Sequence, residues 1–158
     1  MPDPVHIASM GSVESANEVD IQAARDGRGL HKWVNDKTPG ATEVVLTDAT
    51  LYYDIPPGKQ ALIRKSWVAL NTVSDSVHGN LVSCDRAAGA GTCTDLDGHM
   101  EVHSSGNLAG NEHYERNYRV PICVKYSSGA RSISMRMDAN DAGTGLSCGW
   151  QGWVENES

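Results

Sequence analysis

A chain of 158 residues is sized for one domain with a real core. With 20 acidic against 13 basic side chains, net −7, it has the wrong sign for tracking a phosphate backbone, so nucleic acid is not an expected partner. Met1-Pro2-Asp3-Pro4-Val5-His6 has neither a basic stretch nor an apolar one, and no apolar run reaches membrane-spanning length, so the reading is a soluble protein made in the cytoplasm, without a membrane partner.

Residues Met1 to Asn17 are rich in Pro, Ser and Gly and lack apolar periodicity. They read as an extended arm, lying either on a neighbouring subunit or on its own domain. Ser15-Ala16-Asn17-Glu18 matches a capping box, which fits one short helix over Ala16 to Asp26 ended by Gly27 and Gly29. Val19 and Ile21, two apart, suit a strand equally well. Lys37-Thr38-Pro39-Gly40 is a turn that closes the N-terminal part, residues 1–40, and opens the main domain, 41–158.

From there strand signals follow one another. Glu43 to Thr47 and Thr50 to Ile55 are β-branched and aromatic, and Pro56-Pro57-Gly58-Lys59 forces a tight turn. Gln60 to Thr72 is the longest strand, expected to set Ile63, Trp67 and Ala69 on one face and Leu62, Val68 and Leu70 on the other, hence central. Val77 to Asp85, Cys93 to His103, His113 to Tyr126, Ala130 to Asp138 and Gly145 to Glu155 complete the series. Pro121 marks an edge position or a bulge, because proline cannot donate to the ladder. Ile133, Met135 and Met137 against Ser132, Ser134 and Arg136 predict a strand with one wet face. About eight strands at this spacing predict an all-β fold, a jelly-roll-like two-sheet sandwich, with a closed barrel as the alternative.

No nucleophile elbow and no phosphate-cradling glycine loop occurs, so no catalytic residues and no cofactor are assigned. Four cysteines are candidates for disulfides. Cys84 and Cys93 flank the junction of two strands, where a staple is worth about 2.5 to 3 kcal/mol by chain entropy. Cys123 and Cys148 fall on later strands that could be neighbours; four reduced thiols are the other reading. Asp95, Asp97, His99, Glu101 and His103 would share one face of a regular strand, and His99, Glu101 and His103 are the candidate metal ligands. Successive same-face side chains stand about 6 to 7 Å apart, so only adjacent ones could share an ion. The pattern His99-Met100-Glu101-Val102-His103 lacks the spacing of a cupin metal motif. Trp33, Trp67, Trp150 and Trp153, with the tyrosines, invite a sugar-binding reading, since aromatic faces stack on carbohydrate rings. Trp150 and Trp153, three apart, should face opposite ways, one into the core and one outward, where it could stack on a sugar or fill a subunit interface.

The run Tyr53-Asp54-Ile55-Pro56-Pro57-Gly58-Lys59-Gln60-Ala61-Leu62-Ile63-Arg64, with the closing Leu146-Ser147-Cys148-Gly149-Trp150-Gln151-Gly152-Trp153-Val154, resembles small β-sandwich proteins of tailed-phage particles. That resemblance implies a non-enzymatic structural virion protein. It would be a capsid decoration (cementing) protein or a fibre component on the virion surface, commonly a homotrimer, with a capsid protein and further copies of itself as partners. Two other readings stay open: a carbohydrate- or receptor-binding module, and a metal-dependent cupin-like enzyme.

Overall fold

The computed structural model describes residues 29–70, 76–103, 113–139 and 145–158. The arm Met1 to Asn17 and the helix expected over Ala16 to Asp26 lie outside them. Among the described residues there are ten strands: β1 (Gly29–Lys37), β2 (Val44–Val45), β3 (Tyr53–Asp54), β4 (Lys59–Leu70), β5 (Ser76–Cys84), β6 (Cys93–Asp95), β7 (Met100–His103), β8 (His113–Lys125), β9 (Ser132–Ala139) and β10 (Leu146–Asn156).

All pairings are antiparallel, and they make two sheets. Sheet A has the order β1-β10-β4-β8. Sheet B has β9 and β5 at its centre, with β2 and β3 along the outer edge of β9 and β6 and β7 along the outer edge of β5. Counting β2 with β3, and β6 with β7, as interrupted single strands gives eight. In that numbering sheet A runs first-eighth-third-sixth and sheet B second-seventh-fourth-fifth, which is the wiring of a jelly roll.

The core fills the space between the sheets. Ile63, Val68 and Leu70 from β4 and Trp150 from β10 meet Leu81 from β5 and Ile133, Met135 and Met137 from β9, all essentially inaccessible. Trp150 also needs a partner for its indole N–H, which donates to the Leu51 carbonyl at 2.9 Å and so pins the β2–β3 connection over the core.

The strand β1 was not anticipated. Its segment Gly29-Leu30-His31-Lys32-Trp33-Val34 lies within the stretch read as N-terminal extension and holds only two core-facing residues, Leu30 and Val34. Those two alternate correctly, and β1 pairs with β10 from Gly29↔Trp153 to Val34↔Cys148.

The faces expected for β4 are corrected by a bulge. Lys65 pairs with Gln151 and Ile63 with Gly152, leaving Arg64 as an extra residue. The slip reverses the alternation, so Ile63 faces inward with Ser66, Val68 and Leu70, while Leu62 lies outward with Trp67 and Ala69. On the other side of β4 the register passes from Ile63↔Ile122 to Lys65↔Asn117, so Tyr118 to Pro121 form a wide bulge on β8. β8 is the edge strand of sheet A, as Pro121 required.

Two further expectations change. The face of β9 carrying Ser132 and Ser134 is covered, not wet. Ser132 Oγ donates to Arg86 O at 2.6 Å and accepts from Gly89 N at 2.9 Å, and Ser134 Oγ donates to Leu46 O at 2.5 Å, because the connections around these residues fold across it. The strand expected from Cys93 to His103 is broken into β6 and β7, because Asp97 turns inward to accept the Leu81 N–H at 3.1 Å. The five-residue acidic and histidine row is therefore not formed.

Cys84 and Cys93 are opposed in register and joined by a disulfide. Cys123 and Cys148 are free thiols. β4 separates their strands, and they lie on opposite sides of sheet A: Cys148 is opposite the core residue Val68, and Cys123 is opposite the outward Leu62.

Gly152 sits opposite the β4 bulge, where a Cβ would overlap the Leu62 carbonyl oxygen and lie 2.9 Å from Ile63 Cα. Backbone cannot yield as a side-chain tip can. Gly152→Ala is expected to lower the unfolding free energy by about 1 to 3 kcal/mol in urea melts. Gly98→Ala, with no atom within 4 Å of its Cβ, should change it by less than about 0.5 kcal/mol.

Candidate functional site

The two sheets turn chemically different outer faces to the surroundings. On sheet A the register aligns Trp33, Gly149 and Trp67 in one row across β1, β10 and β4, with Glu115 of β8 at its end. Trp33 is 56% exposed. A Cβ on Gly149 would stand 2.8 Å from both Trp33 Cβ and Trp67 Nε1 and 2.7 Å from the Lys32 carbonyl oxygen, so only glycine lets the Trp67 indole reach over β10 toward Trp33. A depression of about 260 Å³ opens there, lined by His31, Lys32, Trp33, Trp67, Trp150 and Gln151.

The row on one side is polar throughout: His31, Gln151, Lys65 and Asn117. Lys65 holds Glu115 at 2.7 Å, and the hydrogen bond from that ammonium lowers the Glu115 carboxyl below its ordinary range. Beyond the polar row come Trp153, Leu62 and Cys123. Trp150 is buried in the core and Trp153 is half-buried on this outer face, its indole N–H donating to Glu155 at 3.3 Å.

The outer face of sheet B is ionic. Asp138, His78 and Glu101 are direct cross-strand partners on β9, β5 and β7, with His78 Nδ1 at 2.8 Å from Asp138 and Nε2 at 2.9 Å from Glu101. A ring with a carboxylate on each nitrogen donates twice, which requires its protonated form. Partial burial opposes the charge. The two hydrogen bonds and the two negative charges outweigh it, and the His78 pKa is raised. Next to this row Arg136 pairs with Asp95 and lies 3.7 Å from Glu43, while Asn80 donates to Asp95 at 2.9 Å.

Of the candidate metal ligands, His99 and Glu101 are turned to different partners. His99 lies in the turn before β7 with its ring 3.4 Å from Glu43, whereas Glu101 faces His78. The side chain of His103 lies outside the described part of the structure. Among the described residues no three His, Cys, Asp or Glu side chains are grouped to hold a metal.

A third polar cluster bridges the sheets. Tyr118 in the β8 bulge donates to Asp97, and its hydroxyl lies 2.6 Å from that of Ser66 on β4. Arg116 adds an ion pair to Asp97 at 3.1 Å and donates to Gly98 O at 2.7 Å. Burial and the neighbouring Asp97 raise the Tyr118 pKa, so it stays a neutral donor. Every member is engaged, and the cluster is a tie rather than a reaction centre.

Sequence reasoning counts Trp33 and Trp67 among the tryptophans that invite a sugar-binding reading but does not pair them, and it gives Gly149 no role. The three are 34 and 82 positions apart and meet only through register. The one local signal was Trp33 alternating out of phase with Leu30 and Val34.

No family model matches the chain, and no curated protein matches it. Solved structures with a similar course include infectious bursal disease virus, Gx strain (12% identity, 80% of this chain and 33% of that chain, TM-score 0.45). Others are Israeli acute paralysis virus, full particle (14%, 81% and 71%, 0.42), and Tobacco streak virus coat protein (12%, 82% and 89%, 0.38). The chain thus spans about a third of the length of the bursal disease virus chain. The jelly-roll wiring stands on the strand order itself.

The clamp on His78 gives a pH signature. Because its folded pKa lies above the unfolded value near 6.5, its contribution is fully present below about pH 6.5 and is lost as pH rises through the raised value. Thermal melts from pH 5.5 to 8.5 should show Tm falling with pH across that window. His78→Gln should flatten the slope, and an unchanged slope would show that another group sets it.

Proposed function

We propose that the protein is a non-enzymatic structural component of a virus particle, a decoration subunit on the virion surface that works by bridging neighbouring subunits. The observation that carries this reading is the edge of sheet A at β8, which has no outer neighbour among the described residues. There Val120 is 81% exposed beside Pro121, in a bulge that leaves the ladder of β4. An open edge normally invites another strand. Proline and the bulge both bar that pairing, so what this edge offers a neighbour is a projecting apolar side chain.

Such a subunit acts by mass action: contacts made only in the assembled state raise the free energy needed to take it apart. The net charge of −7 favours protein over nucleic acid as the partner. Residues 1–17 are the proposed arm to the capsid protein, with Val120 meeting another copy in a homotrimer. Synthesis in the host cytoplasm goes with this reading.

Deleting residues 1–17 should leave the sandwich folded by near-ultraviolet circular dichroism and abolish cosedimentation with the particle. Val120→Asp, at an exposed position, should reduce the native mass to that of a monomer without lowering Tm. Unchanged cosedimentation and unchanged mass in these variants would defeat the reading.

A further inference from the structure

We propose that the depression between Trp33 and Trp67 on the outer face of sheet A is a glycan-binding site that seats one pyranose ring of a neutral oligosaccharide. This activity does not depend on particle assembly.

Two indoles converge on one small opening. The negative faces of aromatic rings attract the weakly positive C–H faces of a sugar, and the sugar's hydroxyls, splayed around its rim, need hydrogen-bond partners at the edge of the platform. Both requirements are met here. Trp33 offers an exposed ring, and the Trp67 indole nitrogen lies over Gly149 beside it, placed to donate to a sugar hydroxyl. Gln151 at the border supplies a donor and an acceptor, and His31 a further polar edge.

The surroundings argue against a protein neighbour on this spot. A stable subunit contact covers about 800 Å² per partner with an apolar centre. The tryptophan pair is instead set apart by the polar row His31, Gln151, Lys65 and Asn117. Charge argues for a neutral ligand. Lys65 is held by Glu115, and Lys32, which also lines the depression, has its ammonium 5.9 Å from the Tyr53 ring centroid, so among the described residues the lysines at this opening are turned to other partners.

Trp33 also borders a second depression of about 360 Å³, lined further by Val34, Asn35, Thr50 and the ion pair of Lys37 with Asp48. One indole shared by two hollows suits a chain of sugars better than a lone ring.

The purified full chain would be screened on an array of immobilised neutral and sialylated glycans. It would then be titrated with cellohexaose, xylohexaose, maltohexaose and chitotetraose, following tryptophan emission. Saturable binding of one neutral series is expected. Trp33→Ala should weaken it about tenfold or more, as truncating a central tryptophan does. Trp67→Phe, which keeps a ring and deletes the N–H, should weaken it less, and Trp153→Ala should bind as the parent does. Trp33→Ala should also keep the parent Tm, since that side chain is exposed. No binding by the parent to any glycan, or equal binding by Trp33→Ala, would overturn the proposal. So would a fall in native mass on Trp33→Ala in a chain that binds no glycan, which would make the opening a protein contact. The titration uses the isolated chain, so its outcome is separate from that of the particle experiment.

Discussion

One inserted residue governs which side chains this sandwich buries. Between Ile63 and Ser66 the strand β4 must change phase, because both face the core although they are three positions apart. Arg64 supplies the extra step, and Gly152 on β10 supplies the room, since any Cβ there would meet the β4 backbone. Without that slip one half of β4 would put its apolar residues into solvent. Val68 and Leu70 lie beyond the bulge and Ala61 and Ile63 before it, so the core contact of the central strand depends on this one junction.

The same junction sets the outer surface. β10 carries Trp150 inward and Gly149 outward, and β4 must present Trp67 outward opposite Gly149 for the indole to lean across it. The phase that buries Val68 is the phase that exposes Trp67. The bulge on the other side of β4 has a parallel effect: it lets Tyr118 swing in to reach Ser66 and Asp97, so the edge of sheet A is tied to the turn between β6 and β7 in sheet B. Asp97 accepts from Leu81 N, Arg116 and Tyr118, so this half-buried carboxylate is engaged by donors from both sheets.

These devices mark the limit of what the chain disclosed before its structure. Strand existence was legible wherever β-branched or aromatic residues alternate between Gly, Pro and Asp punctuation, as in β4, β5, β9 and β10. The opposed pair Cys84 and Cys93 was legible from the short loop between them. β1 was missed because His31, Lys32, Asn35 and Asp36 dilute its two core residues. The faces of β4 were misread because a bulge leaves no mark in a sequence that alternates on both sides of it. The break after Asp95 escaped notice because Asp97 looks polar and outward until the donors that converge on it are counted. Trp33 and Trp67 could not be joined on paper, since the pairing that brings them together is a property of β10, which lies between them.

The difference between the two outer faces then bears on how such a domain can act. On sheet B the charges of these two rows have partners: Asp138 and Glu101 with His78, Asp95 and Glu43 with Arg136. Groups already paired in this way offer a ligand little, because binding would have to replace what they hold. On sheet A Arg116 lies over the exposed Tyr114 ring and Trp153 donates to Glu155, whereas the exposed Trp33 ring has no such prior engagement among the described residues. Trp33 gives up ordered water over an apolar ring when it is covered, and Val120 does the same at the far edge, so recognition by this chain is expected on sheet A and its rigidity on sheet B.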